Sequence, residues 1–121
     1  MYRTEADVLR FCLTLPGAYE DHPFDPAYTA VRHVGNRKLF LLMFAREGAL
    51  WLNVKADPLW SGLWRAGYPA VRPAYHMNKE HWNSLVMDGS IPDALIEEMI
   101  VHSHALTRPK LKHPLCDGGS L

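Results

Sequence analysis

Six side chains that can donate hydrogen bonds or stack fall close together between Val71 and Asp93: Arg72, His76, Asn78, Lys79, His81 and Trp82. Such a set suits binding of an anion or a planar group, because cations hold phosphates and carboxylates while an indole or imidazole offers a flat face. It does not suit covalent catalysis, which needs a nucleophile with a base or two carboxylates in contrasting environments. Elsewhere Ser84 and Ser103 lack a nucleophile-elbow motif, and Cys12 sits in a helical apolar pattern. Glu20, Asp21, His22 and Asp25 read as a solvated acidic loop, and neither a phosphate-binding loop nor a dinucleotide fingerprint is present. No enzyme activity and no cofactor is expected.

The chain has seven histidines, but their spacing argues against a metal site. His102 and His104 face different ways on a helix, and Glu98 and His102 share a face without further ligands at a recognisable spacing. His76 and His81 flank a turn and can be explained as surface residues.

A chain of 121 residues holds one hydrophobic core and not two. With 48% hydrophobic and 21% charged residues it is a globular chain, not a disordered one. Cys12 and Cys116 lie far apart, so reduced thiols are expected and a disulfide framework is not. No run approaches the length of a membrane helix, and Glu5 and Asp7 stand where a secretion signal would be basic and then apolar. A soluble, cytoplasmic monomer is expected.

The formal net charge is zero, which taken alone disfavours a nucleic-acid partner. Its distribution is uneven. Residues 29–79 carry Arg32, Arg37, Lys38, Arg46, Lys55, Arg65, Arg72 and Lys79 against only Glu47 and Asp57, whereas residues 80–107 carry five acids and no base. The middle of the chain is basic and its flanks are acidic.

The elements that would position these groups are legible. Thr4 followed by Glu5 and Asp7 predicts a helix start, and Val8, Phe11, Cys12 and Leu15 recur at helical spacing until Pro16-Gly17. Residues 18–27 read as an irregular or edge segment. A strand follows over Tyr28–Val34, with Gly35-Asn36 expected to supply the positive-φ residues of a hairpin. Leu39–Ala45 is a central strand by its unbroken apolar run, and Glu47-Gly48 turns the chain. Leu50, Leu52 and Val54 then alternate with Trp51, Asn53 and Lys55, predicting one buried face and one wetter face. Asp57-Pro58 opens a short helix whose stripe of Leu59, Trp60, Leu63 and Trp64 is expected in the core. Val71–Met77 and His81–Met87 read as a second hairpin across Asn78-Lys79. Pro92-Asp93 opens the last helix, with Leu95, Ile96, Met99, Ile100, Ser103 and Leu106 on one face. The domain spans residues 1–109, and residues 110–121 read as a flexible tail.

The order is helix, three strands, helix, two strands, helix. Tight turns require antiparallel pairing, so an α+β two-layer sandwich is expected, with helices on one face of an antiparallel sheet of about five strands. Along strand 71–77, Arg72 and His76 would share the open face with Trp51, Asn53 and Lys55. The hairpin tips carrying Arg37, Lys38, Asn78 and Lys79 would project as wings. A basic surface with interleaved aromatics suits nucleic acid.

Several motifs in order resemble those of the MmcQ/YjbR family of small bacterial proteins. They are Leu15-Pro16-Gly17-Ala18, Lys55-Ala56-Asp57-Pro58, Val71-Arg72-Pro73, His76-Met77-Asn78-Lys79, His81-Trp82 and Asp88-Gly89-Ser90-Ile91-Pro92-Asp93. Ser103-His104 departs from the Ser-Tyr of many relatives. The resemblance implies a frataxin-like α+β sandwich and a proposed double-wing mode of DNA binding. Carried onto this chain, it points to Arg37, Lys38, Arg72, His76, Asn78 and Lys79, to which the open-face pattern adds Lys55, with Trp82 as a structural anchor. The alternative is a small-ligand or protein-partner module using a cleft beside Trp51 and Tyr75. A metal chaperone by fold analogy ranks last, because the first helix lacks a dense acidic ridge.

Overall fold

The computed structural model describes residues 2–110. The element order is α1 (Glu5–Cys12), β1 (Ala18–Asp21), β2 (Thr29–His33), β3 (Leu39–Arg46), β4 (Ala49–Lys55), α2 (Pro58–Gly67), β5 (Val71–Pro73), β6 (Trp82–Val86) and α3 (Asp93–Thr107). The strands form one antiparallel sheet in the order β1-β2-β3-β4-β6-β5. The α+β class with helices against an antiparallel sheet agrees with the sequence reading. The strand count does not: the segment read as irregular or edge contains β1, a true edge strand paired through Ala18–His33 and Asp21–Ala30.

Local chemistry explains most element ends. Thr4 accepts from the Asp7 backbone N–H while the Asp7 carboxylate accepts from the Thr4 N–H, a capping box that fixes the start of α1. Asp57 caps α2 by accepting from the Leu59 N–H at 2.9 Å, with Pro58 at the first helical position. Glu47 and Gly48 both have positive φ, 53° and 76°, and so form the tight turn between β3 and β4. The turn between β2 and β3 is built differently from expectation, because its left-handed residue is Arg37 with φ 61°. Asn36 serves that turn through its side chain, accepting from the Lys38 N–H and donating to the Thr107 carbonyl.

Cross-strand register puts Thr29, Met43, Leu52, Leu85 and Val71 on one face of the sheet. The helices pack there. Glu5 of α1 accepts from Thr29, while Ser61 and Arg65 of α2 both donate to Asn83. α3 lies over β3 and β4, burying Ile96, Met99, Ile100, Ser103 and Thr107. Leu106, expected on that face, is exposed. Cys12 is buried against this core, and burial pushes its thiol up to about 12. Cys116 and the expected tail beyond Lys110 lie outside the described residues.

Two expectations about burial fail. The α2 stripe does not pack as a unit: Trp64 is buried, but Leu59, Trp60 and Leu63 are 71%, 46% and 56% exposed. The helix turns Ser61 and Trp64 inward, and Arg65 reaches the same side to meet Asn83. The opposite face of the sheet is not open either. Trp51 and Asn53, read as its wet side, are 4% and 0% exposed. The chain leaves the ladder after Pro73 and folds back, so Tyr75 covers Phe44 and Trp51 from above.

α3 also ties in two histidines of contrasting surroundings. His33 is buried, bonds the Thr107 hydroxyl at 2.8 Å and lies 4.5 Å from the His104 ring. Burial first, and the nearby His104 second, lower its pKa; burial likewise lowers that of His102. The unfolded chain therefore takes up protons before the folded one, and stability falls as pH drops below the usual histidine value of about 6.5. His22 has the opposite sign, being raised by Glu20, but it is solvent-exposed and Glu20 is screened by water. Urea unfolding is expected to show lower stability at about pH 5.5 than at about pH 7.5, with a smaller difference in His33→Gln. An unchanged difference in that variant would assign the effect to other groups.

Candidate functional site

The strand register gathers the basic candidates at one end of the sheet. β2 ends at His33 and β3 begins at Leu39, so the turn carrying Arg37 and Lys38 lies there. β4 runs to the same end, where Lys55 pairs with Trp82, and Ala56 donates to the His81 carbonyl. The loop between Pro73 and Trp82, carrying His76, Asn78 and Lys79, therefore projects from this end too. It is not the regular hairpin expected from Val71–Met77 and His81–Met87. β5 stops at Pro73, and His76 is left-handed with φ 62°.

The C-terminus of α3 adds cations that the sequence reading placed outside the site. Thr107 bonds His33 and Asn36 of the β2–β3 turn, and Pro109 lies against Gly35, close enough that a Cβ there would sit 2.6 Å from its ring. Arg108 and Lys110, both exposed, thus flank a segment docked on the β2–β3 turn that carries Arg37 and Lys38. The signal available in sequence was their position just after the helix, but which strand turn the helix end would reach is a tertiary matter.

Arg37, Lys38, Lys55, Lys79, Arg108 and Lys110 have no carboxylate partner among the described residues. Two acids also lie at this end: Asp57 caps α2, and the exposed Glu80 lies 4.0 Å from the His81 ring. Other basic residues have structural roles. Arg32 pairs with Asp21 at 2.8 Å and donates to the Arg37 carbonyl. Arg65 donates to Asn83 and to the carbonyls of Lys79 and Trp82, tying the loop to α2.

The remaining candidates separate by role. Asn78 accepts from the Glu80 and His81 N–H groups, so its amide shapes the turn. Arg72 does not join the basic end. Its guanidinium lies 5.4 Å from the Trp51 ring, on the covered face, with Asp88 in its field. Arg46 sits over Tyr75 at 4.0 Å and over Trp51 at 5.2 Å, giving the aromatic layer two cations. The His76 ring lies tilted by 44° against Tyr75, with ring centroids 3.9 Å apart.

A buried network holds this loop in place. Asn53 donates to the Tyr75 carbonyl at 2.9 Å and accepts from the Ser84 hydroxyl, which itself accepts from the Tyr75 N–H. Both backbone groups of Tyr75 are thereby satisfied by side chains of β4 and β6. The fold-back leaves a groove of about 310 Å³ between the loops, over Leu39 and Leu42. Ser103 accepts from the Lys55 N–H and donates to the Phe40 carbonyl, while His104 bonds the Pro16 carbonyl at 2.8 Å.

Among the described residues no three His, Cys, Asp or Glu side chains gather as metal ligands, and no helix is long and apolar enough to cross a membrane.

The chain is similar to YbdF of Escherichia coli, 36% identical over 75% of this chain and 73% of that protein. It is 30% identical to Escherichia coli YjbR over 84% of both chains. Bacillus subtilis YyaQ is 32% identical, over 87% of this chain and 98% of that one. Among solved structures, Deinococcus radiodurans DR2400 superposes with a TM-score of 0.79 and 29% identity, covering 86% of this chain and 78% of that chain. A Pseudomonas syringae protein gives 0.76 and 27%, covering 87% and 99%. The YjbR family model matches residues 13–106, from the end of α1 almost to the end of α3, and with it the sheet and Arg37, Lys38, Lys55 and Lys79, whereas Arg108 and Lys110 follow the matched segment. This chain belongs to the YjbR family.

Proposed function

We propose that this protein is a DNA-binding protein, not an enzyme, acting as a cytoplasmic monomer and holding phosphates on the basic end of its sheet. The observation that carries the reading is the convergence of Arg37, Lys38, Lys55 and Lys79, joined by Arg108 and Lys110, with no carboxylate partners among the described residues. Lys55 is half-buried and the others are exposed; lysines and arginines without a carboxylate partner are groups that phosphates can recruit without breaking an existing ion pair. The two wings of the earlier expectation become one continuous rim made of the β2–β3 turn, the end of β4, the loop before β6 and the end of α3. Arg72 is removed from the contact set, and Asn78 acts by shaping the turn.

Phosphate contacts position a protein without reading sequence, so binding is weak and largely independent of sequence. Each neutralised phosphate contributes about −0.9 to the slope of log K against log salt. The Arg37→Ala/Lys79→Ala double variant is expected to weaken duplex binding at low salt and flatten that slope by about 2. Fluorescence anisotropy across a salt series measures both. Unchanged affinity and slope in the double variant would overturn the reading.

A further inference from the structure

Two loops approach each other over the face of the sheet opposite the helices. The β1–β2 loop brings Phe24, Asp25 and Tyr28, and the loop after β5 brings His76 and Met77, leaving the groove floored by Leu42. Its walls are held by the fold. Tyr28 stacks on Phe44 at 5.3 Å, its N–H donates to the Asp25 carbonyl, and Asp25 accepts from the Ala27 N–H. His76 is fixed in a left-handed conformation that costs a non-glycine residue free energy, and its neighbour Tyr75 is pinned by Asn53 and Ser84. Phe24 stays 66% exposed at the mouth although the apolar floor is within reach.

The groove is lined mainly by apolar and aromatic side chains, and two exposed cations adjoin its lining along the chain. Lys38 immediately precedes the lining residue Leu39, and Lys79 follows Met77 by two positions; both are exposed. We propose that the groove receives one unstacked base of single-stranded DNA, with the neighbouring phosphates of the strand on Lys38 and Lys79. This rests on the phosphate-binding reading and adds to it a preference for single strands over duplex. Aromatic and apolar walls take the base by stacking, which any base can supply, while the cations follow the backbone. A paired, stacked base in a duplex cannot enter.

The test uses a short thymidine oligonucleotide with one central 2-aminopurine, and the same label in a duplex. Quenching of the label on binding and tighter binding of the single strand are expected. Phe24→Ala, at an exposed position whose loss leaves the core intact, should abolish most of the quenching and weaken single-strand binding about five-fold or more, with duplex binding unchanged. Equal binding of the two forms, or a Phe24→Ala variant that quenches and binds like the parent, would overturn the base pocket while leaving the phosphate reading in place. Binding of neither form would overturn both.

Discussion

Asn53→Ala is expected to lower stability by about 2–4 kcal/mol, because it removes two bonds of a buried network and leaves the partners dry. Asn53 is fully buried, and its amide is what the Tyr75 carbonyl and the Ser84 hydroxyl rely on. A buried group left without a partner costs its full desolvation, which exceeds the net gain from an ordinary hydrogen bond. The effect should also be directional. Release of Tyr75 frees the loop that carries His76 and Met77, so amide exchange is expected to accelerate at residues 74–78 more than in β2 or β3. Urea unfolding and hydrogen exchange check the two parts. A variant with parental stability and an unchanged exchange pattern would show that Tyr75 is held mainly by its ring contacts with Phe44 and Trp51.

Arg65→Met is expected to cost about 2–3 kcal/mol by the same reasoning applied from the other face. The guanidinium links Asn83 in the sheet to the Lys79 and Trp82 carbonyls, so one side chain anchors both ends of the turn that presents Lys79. Methionine keeps much of the apolar stem, so the loss isolates the hydrogen bonds. Because Arg65 is spent on internal acceptors, the proposed DNA binding should weaken in this variant through misplacement of Lys79 and not through loss of a contact. The salt slope would then fall by less than in Lys79→Ala, while thermal stability falls by more. A slope change equal to that of Lys79→Ala, with no loss of stability, would instead make Arg65 a phosphate contact.

Much of the site's scaffold was legible in sequence wherever a signal is local. The Thr4 helix cap, the Asp57-Pro58 helix start and the Glu47-Gly48 turn all depend on residues within a few positions of one another, and all formed as read. The long apolar run of β3 identified the centre of the sheet because only a strand covered on both faces tolerates it. The β1 segment was hard to read for the converse reason. It is four residues long, sits at an edge, and has no buried face to impose an alternation.

Burial misled where a pattern had two readings. Leu59, Trp60, Leu63 and Trp64 share helical spacing, but a ten-residue helix presents only part of that stripe to the sheet. Alternation in β4 correctly separated Leu52 and Val54 from Trp51 and Asn53, yet it could not tell water from a second covering layer. The covering layer comes from Tyr75, twenty-two positions downstream of Asn53. Its return over the sheet depends on the β5 ladder ending at Pro73 and on His76 adopting a positive φ.

By itself the sequence determined the family, the α+β class, the helix caps and the supply of basic residues in the middle of the chain. These follow from composition, periodicity and short motifs, each set by neighbours along the backbone. Only the tertiary structure decided which cations are free. Arg32 and Arg65 are occupied by Asp21 and Asn83, and Arg72 turns to an indole, while the docking of α3 brings the segment of Arg108 and Lys110 to the turn that carries Arg37 and Lys38. Charge along a chain is a sum, whereas a binding surface depends on which charges have already found a partner in three dimensions.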